Sequence, residues 1–239
     1  MLPLNDNVPT RTTPVVTIGL IVANSLVWLW EVRDGVQTEI IHWGYYPCEV
    51  QGPCEGVARH HHELVETVFS SMFLHASWLH ILGNMLFLWI FGNNVEDALG
   101  RVRFLLWYLA GGIAAIALQT FVTLQFGGPH DASIPNIGAS GAIAAVLGAY
   151  FLLLPSARVL TAIFLGFFFF IWEIPAILFL GIWFLLQALE GGLGILSPQA
   201  TGGVAVFAHI GGFAFGALTV SLVAQRRPLP PAQAQWTRY

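Results

Sequence analysis

The chain has 239 residues, of which 56% are hydrophobic and only 9% are charged. Soluble domains carry about 25% charged residues, so this composition excludes an ordinary soluble fold. The net charge is −4 and lysine is absent, which leaves no basic stripe of the kind that binds nucleic acid. We predict an all-α polytopic membrane protein that contacts the lipid bilayer and no nucleic acid. Its length suits a single membrane domain over residues 1–239 with short tails.

Six apolar stretches are long enough to cross a bilayer, because a hydrocarbon core of about 30 Å needs about 20 helical residues. They lie near residues 14–31, 79–98, 102–124, 137–154, 173–190 and 204–224. The first stretch follows an arginine as a signal peptide would, but it is long enough to span, and we expect a retained helix. The stretch from Val159 to Trp172 is also apolar. We expect its end, Phe167–Trp172, to lie at the membrane interface, and an extra half-span is the competing interpretation.

The arginines divide unevenly between the two sides of this predicted bundle. Two lie on one side, Arg33 and Arg59, and six flank the spans on the side of the termini: Arg11, Arg101, Arg103, Arg158, Arg226 and Arg227; Arg238 follows in the C-terminal tail. The positive-inside rule then places both termini in the cytoplasm, so that even-numbered spans begin on the outer side. We expect a bacterial inner (cell) membrane, because the layout is compact and has no added domains.

Polar residues are costly inside membrane spans and are therefore functional candidates. His80 and Asn84 lie in the second span, Ser140 in the fourth and His209 in the sixth. Each lies in the first turns of an even-numbered span, so all of them share one depth. We expect a water-filled cavity, open to the extracytoplasmic side, to bring them together.

Ser140 stands at a predicted helix start between Gly138 and Gly141. A helix N-terminus has free backbone N–H groups and partial positive charge, which suit the oxyanion formed when a serine attacks a carbonyl. Glycines also let a substrate backbone come close. The alternative for such small residues is tight packing of membrane helices.

His209 is the candidate base, because a serine is a weak nucleophile until a neighbouring group takes its proton. Gly212 and Gly216 follow it on one helix face, and the fourth span carries a matching small-residue face. Packing of the two faces would bring His209 to Ser140. The alternative is a structural histidine bonded to a backbone carbonyl.

His80 and Asn84 lie four residues apart on one helix face, and both side chains can donate hydrogen bonds. With the Ser140 backbone N–H they would form an oxyanion site. The alternative is a hydrogen-bonded pair between helices. Because no carboxylate accompanies His209, we expect a dyad whose imidazole is oriented by packing.

Four stretches of the chain resemble the rhomboid family of intramembrane serine proteases in order and spacing, over about residues 14–224. They are His75-Ala-Ser-Trp-Leu-His80-Ile-Leu-Gly-Asn84, Val95-Glu-Asp-Ala-Leu-Gly100, Gly138-Ala-Ser140-Gly141 and Ala208-His209-Ile-Gly-Gly212. Each stretch is a weak signal alone, whereas the ordered set is specific.

The resemblance implies a bundle of six transmembrane helices, with Ser140 as nucleophile, His209 as general base and His80, Asn84 and the Ser140 amide as the oxyanion site. It implies transmembrane protein substrates, cut in or near a membrane segment, and neither a metal nor an organic cofactor. We expect substrates to enter between the second and fifth spans, with residues 191–203 as a movable cap. Some family members have a tyrosine at the position of Ala144, and many have Trp-Arg where this chain has Trp43-Gly44.

Two other functions stay open from the sequence. The first is a non-enzymatic relative that binds membrane proteins, although such relatives typically lack the serine or the histidine. The second is a transporter or metal-handling protein, for which the support is the tract His60-His61-His62. A disulfide between Cys48 and Cys54 and two free loop thiols are equally open interpretations.

Overall fold

The computed structural model describes residues 1–52, 54, 62–165, 168–196 and 205–225. Its helices are α1 (Val15–Asp34), α2 (Val36–Trp43), α3 (Leu64–Ser70), α4 (Trp78–Phe87), α5 (Asn93–Leu99), α6 (Arg101–Phe126), α7 (Pro129–Ala132), α8 (Ser140–Leu153), α9 (Ala176–Leu196) and α10 (Val206–Val223). Its strands are β1 (Leu2–Asp6), β2 (Arg158–Leu165) and β3 (Phe168–Pro175). A π-helical turn, Leu88–Gly92, joins α4 to α5.

The fold is mostly helical, as predicted, and each expected span falls on a helical stretch. Within the described residues, four helices are long and apolar enough to cross a membrane: α1, α6, α9 and α10. A fifth span would be the pair Leu64–Phe73 and Trp78–Leu99, which is bent by 84°. Helix α8 has only 14 residues. The expected number of six spans is therefore not established.

Helix α8 is the centre of the bundle. All residues from Gly141 to Tyr150 are buried, which is the pattern of a helix surrounded by protein. Its main neighbours are α10 and α6. The fourth predicted span is thus short because it lies inside the bundle.

A small antiparallel sheet accompanies the helices, which the predicted all-α fold did not include. Its order is β1-β2-β3, and β2 and β3 pair from Arg158 with Pro175 to Leu165 with Phe168. The described residues of the apolar stretch Val159–Trp172 thus form strands and not a helical half-span, whereas the interfacial position of its end stays a prediction. Its β-branched and aromatic residues suit a strand, and α9 begins only at Ala176.

The start of α1 is held by the end of α5. The Glu96 carboxylate accepts hydrogen bonds from the backbone N–H groups of Val16 (3.0 Å) and Thr17 (2.7 Å) and from the Thr17 hydroxyl (2.8 Å). Asp97 accepts from Arg11 and Thr12. The first free N–H groups of a helix need such acceptors, so this short motif fixes where the first span begins.

The segment after α1 packs against the residues that lead into α8. Tyr45 and Asn136 exchange backbone hydrogen bonds of 3.3 and 2.7 Å. Gly44 lies close to Pro135, which leaves no room for a larger residue. Cys48 and Cys54 form a disulfide, which resolves the two interpretations left open by the sequence.

Candidate active site

Ser140 is the first residue of α8, and three contacts fix the chain that leads to it. Asn136 is bonded to Tyr45, and the Gly138 N–H donates to the Ser71 carbonyl (2.8 Å). Gly138 has a φ of +110°, a conformation that favours glycine. Ser140 thus begins a helix right after a tight, tethered turn.

The Ser140 hydroxyl lies 2.9 Å from Nε2 of His209, so the structure brings these two predicted residues together. The small-residue faces make this approach feasible, since Gly212 lies directly against the Gly141 carbonyl and Gly216 against the Ala145 carbonyl. A side chain at either glycine would push α10 away from α8. Close helix approach through small residues is what the sequence led us to expect.

Two residues of α9 hold the His209 ring. Trp183 packs beside it, with ring centroids 5.8 Å apart and an angle of 41° between the planes. Nδ1 of His209 lies 2.5 Å from Oε1 of Gln187. The sequence led us to expect orientation by packing instead of by an acid, and to that packing the structure adds a hydrogen bond with the amide of Gln187. A single amide within the apolar run Leu185-Leu186-Gln187-Ala188-Leu189 was the sequence signal for it.

His80 points its Nε2 towards the turn before Ser140. A Cβ built on Gly138 would stand only 2.7 Å from that nitrogen and 3.7 Å from Nδ2 of Asn84. The Ala76 backbone N–H lies 3.4 Å from Nδ1 of His80 and donates to it. In the neutral ring Nε2 then carries the proton and can donate to a group placed beside Gly138.

Asn84 is held by His75. The His75 Nδ1–H donates to the Phe73 carbonyl (3.1 Å), which leaves Nε2 to accept from the Asn84 amide (3.0 Å). The Glu31 carboxylate in turn accepts the His75 backbone N–H at 3.1 Å. One N–H of the Asn84 amide is thereby fixed, and among the described residues the other has no protein partner.

The four predicted side chains line one cavity of 610 Å³, as does Trp183. His80, Asn84, Ser140 and His209 supply its polar groups together with Gln37 and Asn136, and the remaining lining is mostly apolar. A hydroxyl bonded to an imidazole, with two nearby donors, is the arrangement that acyl transfer from a serine needs.

A family model described as "Rhomboid domain" matches residues 62–226 of this sequence. The chain belongs to the rhomboid family. The match begins after α2 and contains every predicted site residue. The mostly apolar helices and this family together make it an integral membrane protein.

Several curated proteins are similar in sequence to part of this chain. Presenilin-associated rhomboid-like protein A, mitochondrial, of Danio rerio is 39% identical over 88 residues, which are 37% of this chain and 22% of that protein. Its Homo sapiens counterpart is 33% identical over 151 residues, 63% of this chain and 35% of that protein. The putative rhomboid protease YdcA of Bacillus subtilis is 35% identical over 83 residues, 35% of this chain and 38% of that protein. The chain thus spans well under half of these relatives, and they lend no support to the expected bacterial inner membrane.

The histidine tract and the expected cap lie partly outside the described residues. His60 and His61 lie outside the described residues, whereas the His62 ring stacks on Trp43 at 3.7 Å. Within the described part of the chain, no three His, Cys, Asp or Glu side chains form a group that could hold a metal ion. In the expected cap at 191–203, the first residues belong to α9, and those from 197 on lie outside the described residues.

Proposed function

We propose that this chain is an intramembrane serine endopeptidase that cleaves transmembrane segments of membrane proteins. The observation that carries the proposal is the 2.9 Å contact between the Ser140 hydroxyl and His209 Nε2 in a cavity that also holds His80 and Asn84. Membership of the rhomboid family supports it. The chemistry uses only side chains and water, so we propose no metal or cofactor.

In the first step the Ser140 oxygen attacks the carbonyl carbon of the scissile peptide bond, and its proton passes to His209 Nε2. The carbonyl oxygen becomes an oxyanion beside Gly138. His80 Nε2–H, the free N–H of Asn84 and the Ser140 backbone N–H are the donors proposed for it. The N-terminus of α8 adds partial positive charge at the same place.

In the second step the C–N bond breaks, and the imidazolium of His209 gives its proton to the leaving amine. The product is an ester between Ser140 and the new carboxyl end of the substrate. A water then attacks the ester carbonyl and gives its proton to His209, which returns it to the Ser140 oxygen as the acid leaves. The enzyme is thereby regenerated.

The substrate would come from the lipid between α4 and α9, the second and fifth predicted spans. Leu79, Gly83 and Phe87 of α4 and Trp183 of α9 all line the cavity. Leu79 is also 82% exposed, so the apolar cavity wall continues to the outside of the bundle. A substrate helix must unwind locally, because its peptide bonds are shielded by their own hydrogen bonds.

The arginine distribution supports an orientation with both termini on the positively charged side of the membrane and the cavity opening to the other side. We propose that residues 1–239 act as one such membrane domain. The named relatives come from mitochondria and from a bacterium, so this proposal concerns the orientation and not the organelle.

Cleavage of a model transmembrane substrate by purified protein in liposomes tests the proposal. Ser140→Ala and His209→Ala should each abolish the appearance of product, because each removes one half of the proton transfer. Ser25→Ala is a suitable control, since among the described residues the Ser25 hydroxyl bonds only within α1, to the Ile21 carbonyl. Undiminished cutting by either site variant would overturn the assignment.

A further inference from the structure

The two nitrogens of His209 must play opposite roles for the proposed reaction. Nε2 has to accept the Ser140 proton, so in the resting neutral ring the hydrogen must sit on Nδ1. An Nδ1–H needs an acceptor when the ring is enclosed by protein. In this structure the nearest one is Oε1 of Gln187, in contact with Nδ1.

We infer that Gln187 is a positioning residue that fixes the reactive tautomer of His209, so that the site works as a chain Ser140–His209–Gln187. The inference rests on the proposed function and adds a third member to its dyad. The opposite orientation of the amide would set an NH₂ group against the ring. His209 would then have to present a lone pair at Nδ1 and its hydrogen at Nε2, where it could no longer act as a base.

The position of Gln187 in α9 suits this role. Trp183 and Gln187 lie four residues apart and therefore on one face of the helix, the face that meets His209. Packing against Trp183 restricts the orientation of the ring plane, and the hydrogen bond to Gln187 restricts where Nδ1 points within that plane. Neither constraint replaces the other.

A glutamine also explains how a membrane site does without a carboxylate. An amide oxygen accepts the Nδ1–H but carries no charge, so it avoids the cost of placing an ion at this depth. Among the described residues that line the cavity, His80 is the one other titratable imidazole or carboxyl group. Glu190 follows Gln187 by less than one turn of α9 but does not line the cavity.

Three substitutions at position 187 separate orientation from packing. Gln187→Leu keeps the bulk and removes the acceptor, and we expect kcat to fall about 10- to 100-fold, as for loss of an outer partner that orients a histidine. KM should change little, because the hydrogen bond acts in the chemical step. Gln187→Asn keeps the amide but is one methylene too short, so it should lose activity in the same way.

Gln187→Glu keeps an acceptor at the same distance, so its kcat should lie well above that of Gln187→Leu. Its carboxylate also stabilises the imidazolium, so His209 stays protonated to a higher pH. The acid limb of the kcat/KM profile should therefore move up by about one pH unit or more. A residue that only fills space would give no such displacement.

Gln119→Leu is the matched control. Gln119 accepts the backbone N–H of Ala208 (3.1 Å), so it lies beside the same helix but does not touch the imidazole. Its substitution should leave the acid limb of the profile where it is in the wild type. A movement as large as in Gln187→Glu would overturn the inference.

The outcomes also distinguish this inference from the proposed function. If Ser140→Ala cuts as fast as the wild type, the proposed function is wrong. If Ser140→Ala is inactive but Gln187→Leu keeps the wild-type kcat, the function stands and the positioning role is wrong. The positioning role is equally wrong if Gln187→Glu is as slow as Gln187→Leu with an unmoved acid limb.

Discussion

At the scale of single residues, the ring nitrogens of three histidines have different partners. His75 donates to a backbone carbonyl and accepts from Asn84. His80 accepts a backbone N–H and thereby keeps a donor towards Gly138. His209 contacts a hydroxyl at one nitrogen and an amide oxygen at the other. In the proposed mechanism one residue type thus supplies a positioning group, an oxyanion donor and a base, because the partner at one nitrogen decides the role of the other.

Asn84→Ala tests the oxyanion site at this scale. Loss of one such donor typically lowers kcat about 100- to 1000-fold without abolishing it. We therefore expect slow but measurable cleavage in liposomes, with the thermal midpoint in detergent measured alongside to exclude unfolding. Turnover equal to that of the wild type would remove Asn84 from the oxyanion site.

The sequence predicted four site residues because each belongs to a motif with recognisable neighbours. His80, Asn84, Ser140 and His209 line one cavity, as expected. Gln187 has no such motif: it is one amide in an apolar helix, and its proposed role depends on how α9 packs against α10. Contacts between distant helices cannot be derived from spacing along one of them.

At the scale of elements, the motif Val95–Gly100 shows what a family resemblance leaves out. The resemblance located these residues but gave them no role. In the structure Glu96 caps α1 and Asp97 binds the residues before it, while Gly100, with a φ of +80°, separates α5 from α6. The motif therefore sets the position of the first span relative to the second.

A double-mutant cycle tests this cap. Glu96→Gln puts an NH₂ group where only acceptors are useful, and we expect a loss of about 1–2 kcal/mol in the free energy of unfolding. Thr17→Val removes one of the three donors and leaves the carboxylate in place. Because both changes break the same contact, between Thr17 and Glu96, their losses in the free energy of unfolding should add up to more than the loss in the double variant. Full additivity in detergent unfolding would mean that Glu96 does not act through Thr17.

The sheet is tied to the bundle by a buried acid in β1. Asp6 accepts hydrogen bonds from the Tyr150 hydroxyl and from the Asn94 amide (2.7 Å). Burial raises the pKa of Asp6 from 3.8 to about 6, against the opposing effect of its hydrogen bonds. The folded protein thus holds this proton more tightly than the unfolded chain does.

The free energy of unfolding should therefore fall as the pH rises from about 4 to about 6, and Asp6 should account for up to about 3 kcal/mol of that fall. Asp6→Asn keeps the shape of the side chain but cannot ionise, so its advantage over the wild type should grow across the same interval. Asp34→Asn, at the exposed end of α1, is the control and should follow the wild type. Parallel pH curves for Asp6→Asn and the wild type, measured by thermal unfolding, would contradict this prediction.

The strands escaped prediction because hydrophobicity alone does not separate a strand from a buried helix. Val159–Trp172 was apolar enough for either, and a membrane context favoured the helix. Two further facts decided the outcome: β1 precedes the first span, and its partner β2 follows α8. Pairing between segments more than 150 residues apart leaves no local mark in the sequence.

At the scale of the whole molecule, the site depends on a buried central helix. Helix α8 presents Ser140 at its first residue, and α4, α9 and α10 surround that end with the proposed oxyanion donors, orienting amide and base. The shortness of α8 leaves its N-terminus inside the bundle. The cavity at that end of α8 is where we propose that water and substrate meet Ser140.

The most direct test of the central claim is the rate at which a fluorophosphonate probe labels the protein in liposomes, with the modified peptide identified by mass spectrometry. We expect labelling at Ser140 in the wild type, none in Ser140→Ala, and a large drop in rate in His209→Ala, because the hydroxyl is then no longer activated. Equal labelling rates in the wild type and in His209→Ala, or no reaction at Ser140 at all, would contradict the claim and favour a non-enzymatic membrane-binding relative.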